Sequence, residues 1–332
     1  GSGLCRPGGR SGYPEPSGSG LCRPGGRSGY PEPSGWDLRR PLAALDFLSA
    51  NPLPCESVGM EQWHITWSEE GRPTLFVSEA DKRMAVRVLA RVAGQTAVLF
   101  CAVDDHLHVV TGGSREQAGR LGSAIGQALN YRLSHHLAPA RFWEVNGRFH
   151  LKTLIRYVLD QTSHHKLQGV EHPALWTGSN FQDLIGARCL PGLDVALLQQ
   201  HLPRLRSEEV FFAVGLQEFG PASDDALSEC GLGALVKAGA AALAAPPDLP
   251  GRRLICVQAR AAVAQLAHRI GYQSLQLADA LQVTRRSAQR MRQFPVPPQL
   301  VKAIRMQVAL RLACKGANFT SLKAGSGPQL ER

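Results

Sequence analysis

Two histidines separated by a single residue, His106 and His108, form the pattern in this sequence with the clearest chemical potential. Apolar runs lie on both sides of Asp104-Asp105, which predicts two buried strands joined by a tight acidic turn. Because successive side chains of a strand point to opposite faces, both imidazoles should lie on one face and Leu107 on the other. Such a pair is a two-imidazole clamp. The alternative is two solvated histidines on the wet face of a half-exposed strand.

A tyrosine and a glutamine follow on a segment with helical periodicity. Tyr157 and Gln161 stand four residues apart, so a helix would place them on one face, at the edge of its apolar stripe. The apolar residues that set this period are Leu151, Leu154, Ile155, Val158 and Leu159.

The combination of a His-x-His strand and a later Tyr-x-x-x-Gln helix resembles the single-tyrosine HUH endonucleases, specifically the insertion-sequence transposases and the REP-associated tyrosine transposases. The resemblance extends over residues 63–192. Three further segments carry it: 63–68 (Trp-His-Ile-Thr-Trp-Ser) is similar to the family's opening strand, 143–149 (Trp-Glu-Val-Asn-Gly-Arg-Phe) to its Trp-Gln-Gly-Arg-Phe segment, and 176–179 (Trp-Thr-Gly-Ser) to its Trp-Ser-Ser segment.

Two departures from the family pattern leave the branch open. Residues 103–105 are Val-Asp-Asp where REP-type members have Met-Pro-Asn, and residues 161–162 are Gln-Thr where they have Asn-Pro. Gln161 agrees better with the insertion-sequence branch.

The resemblance implies a role for each residue of the two motifs. His106, His108 and Gln161 would bind a divalent metal, Mg²⁺ or Mn²⁺. Tyr157 would attack a DNA phosphate and leave a 5′-phosphotyrosine and a free 3′-OH, a covalent intermediate that splits strand transfer into two reversible steps.

The chemistry explains why a metal accompanies a tyrosine nucleophile. Ionising a phenol at pH 7 costs about 4 kcal/mol, because its ordinary pKa is near 10. A metal on the scissile phosphate neutralises developing charge and orients the 3′ oxygen. Two imidazoles and an amide suit Mg²⁺ loosely, since hard cations prefer oxygen, so we expect a weak site completed by phosphate and water. His164 and His165 are alternative ligands, or they form a solvated helix end.

Composition favours a polyanionic partner. The chain has 332 residues and a formal net charge of +10, and arginine, which suits bidentate phosphate contact, supplies most of the positive charge. The eight cysteines include no C-x-x-C pair, which argues against a zinc site or a disulfide framework. There is no signal-peptide pattern and no apolar run of membrane-spanning length, so we expect a cytoplasmic, nucleoid-associated protein that binds no membrane.

The chain is predicted to divide into six segments. Residues 2–18 recur unchanged at 19–35, and this Gly-, Pro- and Ser-rich repeat cannot bury a core. Met60 is the first methionine, and a chain that starts there should fold and act like the full chain. The segments are a disordered tandem repeat at 1–35, a linker with a possible short helix at 36–59, the HUH-like domain at 60–192, a helical connector at 193–250, a basic DNA-binding domain at 251–315 and a disordered tail at 316–332.

The predicted fold of the HUH-like domain is α+β, with the order β-α-β-β-α-β-α and an antiparallel, ferredoxin-like sheet with helices on one face. Ser78 and Ser114 are helix caps, the latter with Gln117 in a capping box. Tyr131 is predicted to lie in the core rather than to act as a second nucleophile. Strands are also predicted near 142–144 and 148–151.

The segment from Gly251 to Lys315 contains twelve Arg or Lys residues and one acidic residue. Its helices are predicted at 257–270, 274–282, 284–294 and 299–314, the last packing through Leu300, Ile304, Val308 and Leu312. The spacing of Ala278, Val283 and Ala288 resembles a helix-turn-helix, although Gln282 stands where glycine is usual. The residues expected to contact DNA are Thr284, Arg285, Arg286, Gln289 and Arg290. The alternative is a solvated basic face on a helical bundle.

Two functions follow from these patterns. The first is a transposase-type enzyme that nicks and rejoins single-stranded DNA, including hairpin-containing DNA, and holds duplex DNA through its C-terminal region. The second is a non-catalytic, domesticated DNA-binding protein, and a rolling-circle replication initiator would share the chemistry of the first. The motifs leave open whether the site is built within one chain or in a homodimer that exchanges the tyrosine helix.

Overall fold

The computed structural model describes most of the chain from Glu61 to Gly316. The described ranges are 61–68, 74–93, 96, 98–133, 137–165, 171–193, 195 and 206–316. The predictions for the tandem repeat, the linker and its short helix, and the tail after Gly316 lie outside the described residues.

A four-stranded antiparallel sheet forms the framework of the first half. Its strands are β1 (Gln62–Ser68), β2 (Val98–Ala102), β3 (His106–Gly112) and β4 (Arg141–Glu144). Their order across the sheet is β2-β3-β1-β4. The predicted α+β class with an antiparallel sheet is therefore confirmed.

The acidic turn between β2 and β3 is tight, as predicted. The Val103 amide donates to the carbonyl of His106 at 3.0 Å, which closes the hairpin around Asp104 and Asp105. The Asp104 carboxylate forms an ion pair with Lys82 at 3.1 Å. These two contacts therefore fix the position at which β3, the strand that carries the histidines, begins.

Two helices cover one face of the sheet. They are α1 (Glu79–Ala93) and α2 (Arg115–Asn130), and their apolar sides bury Ile65, Trp67 and Leu107 of the strands. The predicted caps are present: the Ser78 hydroxyl accepts from the Asp81 amide, and Ser114 and Gln117 form a capping box.

A further helix, α3 (Gly147–Leu159), packs on the opposite face, against Leu99, Cys101 and Val110, so the predicted placement of the helices on one face of the sheet is wrong. The predicted strand at 148–151 is wrong, because these residues form the first turn of α3. Gly147 has a φ of +79°, a conformation that glycine adopts without strain, so the chain turns from β4 directly into the helix. The apolar period that starts at Leu151 then fixes the buried side.

The chain after α3 returns along the free edge of β2. It forms α4 (Gln161–His164), a 3₁₀ turn (Pro173–Leu175) and α5 (Phe181–Leu184). Trp176 Nε1 donates to the Ala102 carbonyl at 2.8 Å. At Gly178 an added Cβ would lie 2.0 Å from that carbonyl oxygen, so only glycine allows this close approach.

The second half is helical, as expected for 193–250 and 251–315. Its helices are α6 (Ser207–Ala213), α7 (Asp224–Cys230), α8 (Leu232–Ala242), α9 (Leu254–Arg269), α10 (Ser274–Ala280), α11 (Arg285–Met291) and α12 (Pro298–Gly316). Small alanines dominate the core around α8 and α9. No helix in the described ranges has both the length and the apolar character needed to cross a membrane.

Helix α12 joins the two halves. Its Leu300, Ile304 and Val308 pack with the helical core, whereas Met306 and Leu310 pack in the core that contains α3. Removing the C-terminal helices would therefore expose apolar surface beneath the tyrosine helix. The predicted domain boundaries stay predictions.

Two residues expected in the core are exposed. Tyr131 is 86% exposed because α2 ends at Asn130 and the tyrosine follows its last buried residue, Leu129. Leu312 is 43% exposed, one turn beyond the point where α12 is covered on both sides.

Candidate functional site

The two histidines of β3 point to the face of the sheet that α3 covers. His106 lies opposite Ser68 on β1 and His108 lies opposite Thr66, while Leu107 is buried on the other face. The two imidazole centroids are 4.6 Å apart and the rings are nearly perpendicular. The predicted alternation is confirmed, but the surface is not solvated, because His108 is only 5% exposed.

Each histidine uses its Nδ1 atom in a bond within the protein. His106 Nδ1 lies 2.5 Å from the Asp105 carboxylate. His108 Nδ1 lies 2.9 Å from Nε2 of His64, and these two rings are stacked with centroids 5.1 Å apart. With the proton on Nδ1, each ring keeps a lone pair on Nε2, the arrangement found in histidines that bind metals.

Tyr157 and Gln161 meet the histidines at the end of α3. The Tyr157 ring lies edge-on to His108, with centroids 5.5 Å apart, and it is 38% exposed. Gln161 is fully buried and its Nε2 donates to the Tyr157 carbonyl at 2.9 Å. That bond fixes the amide so that its oxygen is left for another partner.

Two buried ligand atoms of this site lack partners. Within the described part of the chain, neither His108 Nε2 nor Gln161 Oε1 meets the distance and angle of a hydrogen bond, although Gln161 lies close enough to His108 to act on the pKa of its imidazole. Leaving a buried polar atom unsatisfied costs about 1–3 kcal/mol, so folded proteins rarely keep one without a use for it.

Burial also keeps the imidazoles of His108 and His64 neutral. The pKa of His108 is lowered to about 2, chiefly by burial and then by the charge that His106, His64 and His165 would carry, while the Gln161 side chain opposes the shift. The pKa of His64 is lowered to about 4, again mainly by burial, with His150 adding to the shift. Neutral imidazole is the form that binds a metal, so protons do not compete for these rings near pH 7.

The donor set fits a divalent cation held by two imidazoles and an amide oxygen. Two features support this fit: the unpartnered atoms on His108 and Gln161, and the imidazole of His106 held by Asp105. In the described ranges no three His, Cys, Asp or Glu side chains are grouped to hold a metal, so a metal here would depend on the Gln161 oxygen and on ligands from the substrate.

Two residues beside these four, His64 and Asp105, are not assigned a place in the site by the sequence patterns, and a third, His165, is predicted only as an alternative ligand. His64 bonds to His108, Asp105 bonds to His106, and the His165 ring lies edge-on to His106 with centroids 4.7 Å apart. A signal for His64 is present, because polar residues alternate with Trp63, Ile65 and Trp67 along β1. His165 is one of the two alternative ligands, and the side chain of the other, His164, lies outside the described set.

The residues predicted to contact DNA lie on α11. Thr284 caps this helix by accepting from the Ser287 amide, and Ala288 is its buried residue. Gln282, at the position where glycine is usual, has a φ of +50°, so this turn does require the left-handed conformation. The exposed side chains of α11 are Arg285, Arg286, Gln289 and Arg290. Their contact with DNA stays a prediction.

Tyr131 cannot take the place of Tyr157. It follows α2, which packs on the sheet face opposite to His106 and His108. Its exposure therefore does not make it a nucleophile for this site.

Neither a protein-family model nor a curated protein matches the sequence. Among solved structures, the chain is similar to a REP-associated tyrosine transposase bound to a REP hairpin. The identity is 15%, the match covers 48% of this chain and 93% of that one, and the TM-score is 0.31. This similarity is too low to support a functional assignment, so the function has to be inferred from the side chains of the site.

Proposed function

We propose that this chain is a metal-dependent endonuclease and strand transferase for single-stranded DNA, of transposase type, with Tyr157 as nucleophile. The observation that carries the proposal is the convergence of His106, His108, Tyr157 and Gln161 on one covered sheet face, where two buried ligand atoms have no partner among the described residues.

The proposed step is an exchange of ester bonds at one phosphate. The Tyr157 oxygen forms a bond to phosphorus and loses its proton, while the bond from phosphorus to the 3′ oxygen breaks and that oxygen takes up a proton. The products are a 5′-phosphotyrosine and a free 3′-OH, and attack by a 3′-OH reverses the step. A divalent metal held by His106, His108 and Gln161 would supply charge neutralisation at the phosphate.

The remaining residues position this chemistry. Asp105 and His64 hold the two imidazoles, and the bond from Gln161 to the Tyr157 carbonyl ties the amide oxygen to the turn that carries the nucleophile. Tyr157 is partly exposed, so a DNA strand can approach it without opening the core.

Formation of a covalent adduct tests the proposal. The full chain is incubated with labelled single-stranded oligonucleotides and Mn²⁺ or Mg²⁺, and the products are separated on a denaturing gel. We expect a protein–DNA band that is absent in EDTA and absent in Tyr157→Phe, which loses one hydroxyl and should still fold. Oligonucleotide binding without any adduct, over a range of sequences and both metals, would favour a non-catalytic DNA-binding protein instead.

A further inference from the structure

Two large aromatic side chains beside the site are exposed. Trp143 on β4 is 58% exposed, and Phe149 in the first turn of α3 is 85% exposed. Apolar side chains that are exposed singly are common, but aromatic rings exposed on two elements of one site are candidates for ligand contact. Neither contributes to the core, so folding does not explain them.

Trp143 shares the sheet face of the metal-ligand candidates. It lies directly opposite His64, the residue that bonds to His108, and Arg141 lies opposite Thr66. Paired residues of an antiparallel sheet point to the same face. The indole is therefore separated from His108 by one imidazole.

Phe149 lies on the helix that carries the nucleophile. It precedes Tyr157 by two turns, which is about 12 Å along a helix axis. Between them, His150 accepts from the Asn146 amide and lies near enough to His64 to lower its pKa. Trp143 and Phe149 therefore lie on the two elements that meet at these imidazoles, one on the sheet and one on the helix.

Arginines lie close to both rings in the chain, whereas Glu144, the one carboxylate of β4, alternates to the other face of the sheet. Arg141 and Arg148 are both exposed, and in the described residues neither forms an ion pair. By contrast, Lys152 and Arg156 further along α3 are both paired with Glu209.

We propose that Trp143, Phe149, Arg141 and Arg148 bind single-stranded DNA beside the scissile phosphate, the rings stacking on bases and the guanidinium groups contacting phosphates. The proposal rests on the proposed function and names how its substrate is held. Exposed aromatics between basic side chains are the combination that binds single strands with little sequence preference, because every base has a stacking face.

A second copy of the chain is the competing occupant of this surface. β4 is an edge strand, and edge strands pair readily with one another. A symmetric contact, however, would gather Arg141 and Arg148 of both copies in one interface, and burying guanidinium groups that have no acidic partner among the described residues is costly. The charge favours a polyanion.

The test measures binding of the full chain to a labelled oligothymidylate by fluorescence anisotropy, in EDTA so that no cleavage occurs. Trp143→Ala and Phe149→Ala should each weaken binding by about 5- to 150-fold, the effect of losing one stacked base. Trp143→Tyr should restore most of the affinity. Tyr131→Ala is the matched control, because Tyr131 is 86% exposed and follows α2, which packs on the opposite face of the sheet.

An abasic oligomer with the same phosphates separates stacking from charge. The Trp143→Ala and wild-type chains should bind it equally, whereas Arg141→Gln and Arg148→Gln should bind it more weakly than wild type does. Unchanged oligothymidylate affinity in Trp143→Ala and Phe149→Ala, or an equal loss in Tyr131→Ala, would overturn the proposal. So would a concentration-dependent dimer, seen by light scattering, that Trp143→Ala dissociates while DNA binding stays unchanged. Because no cleavage is measured, these outcomes are independent of whether Tyr157 forms an adduct.

Discussion

The sheet site and helix α11 place their polar side chains in opposite environments. His108 and Gln161 are almost completely buried, and each keeps a ligand atom without a partner in the described structure. On α11, Arg285, Arg286 and Arg290 are exposed, and the buried residue is a small alanine.

The difference indicates two kinds of interaction. Buried lone pairs in fixed positions recognise one small, well-defined group, such as a metal ion with its phosphate, and they gain strength from the low dielectric around them. Exposed guanidinium groups attract an extended polyanion, with an affinity that depends on salt. If both interpretations hold, substitutions on the sheet should change chemistry and substitutions on α11 should change affinity.

The largest loss of adduct formation is expected when a buried ligand atom of the sheet site is removed. His108→Ala should reduce adduct formation by about a thousandfold, since a metal at the phosphate supplies several kcal/mol of charge stabilisation. EDTA should have the same effect on the wild-type chain, and DNA binding in EDTA should be the same for both. Full adduct formation by His108→Ala would show that the buried ligand atoms of the sheet site do not contribute to the chemistry.

A smaller effect, on metal affinity, is expected at His64, which bonds to His108. His64→Phe keeps the stacked ring but removes the bond to His108, and loss of such a supporting bond typically costs 10- to 100-fold in metal affinity. Titration with Mn²⁺, followed by electron paramagnetic resonance, measures this directly. His64→Gln should recover part of the loss, and His150→Gln, which removes no bond to His108, should match wild type. Equal Mn²⁺ affinities in all four chains would show that His64 only fills space.

The contribution of α11 to DNA binding should be visible in the salt dependence of the affinity. Replacing Arg285, Arg286 and Arg290 with Gln in the full chain should flatten the slope of log K against log salt on duplex DNA by about 2.7, or about 0.9 for each phosphate that is no longer neutralised. The matched variant replaces three exposed arginines elsewhere, Arg120, Arg132 and Arg206, and removes the same charge. If both variants change the slope equally, net charge rather than α11 binds the DNA.

Acid should weaken the fold through the sheet site. Burial lowers the pKa of His64 to about 4 and that of His108 to about 2, below the ordinary value of 6.5. Below pH 6.5 the unfolded chain therefore binds more protons than the folded chain, so stability falls as pH falls from 6.5 towards 4, by up to about 1.4 kcal/mol per histidine per pH unit. Thermal melts of the metal-free chain at pH 7 and pH 5 measure this. The double variant with Gln at both positions should lose less, and equal losses would place the acid sensitivity elsewhere.

The local periodicity of the sequence predicts only part of the site. The two-residue period places His106 and His108 together, and the helical period places Tyr157 beside Gln161, because both follow from local geometry. The contact between His64 and His108 depends on the register between strands far apart in the chain, which no local pattern encodes. The strand predicted at 148–151 is wrong for a related reason. The short Arg-Phe-His-Leu run is compatible with a strand or a helix, and the turn at Gly147 and packing against the core determine that it forms a helix.

The most direct test of the central claim is the identity of the residue that carries the DNA. The adduct formed by the full chain is digested with nuclease and protease, and the modified peptide is sequenced by mass spectrometry. The account predicts a phosphorylated nucleotide remnant on Tyr157 and on no other tyrosine. A remnant on Tyr131, or on a tyrosine of the N-terminal repeat, would contradict it, because the face that carries His106 and His108 would then not be the site of the reaction.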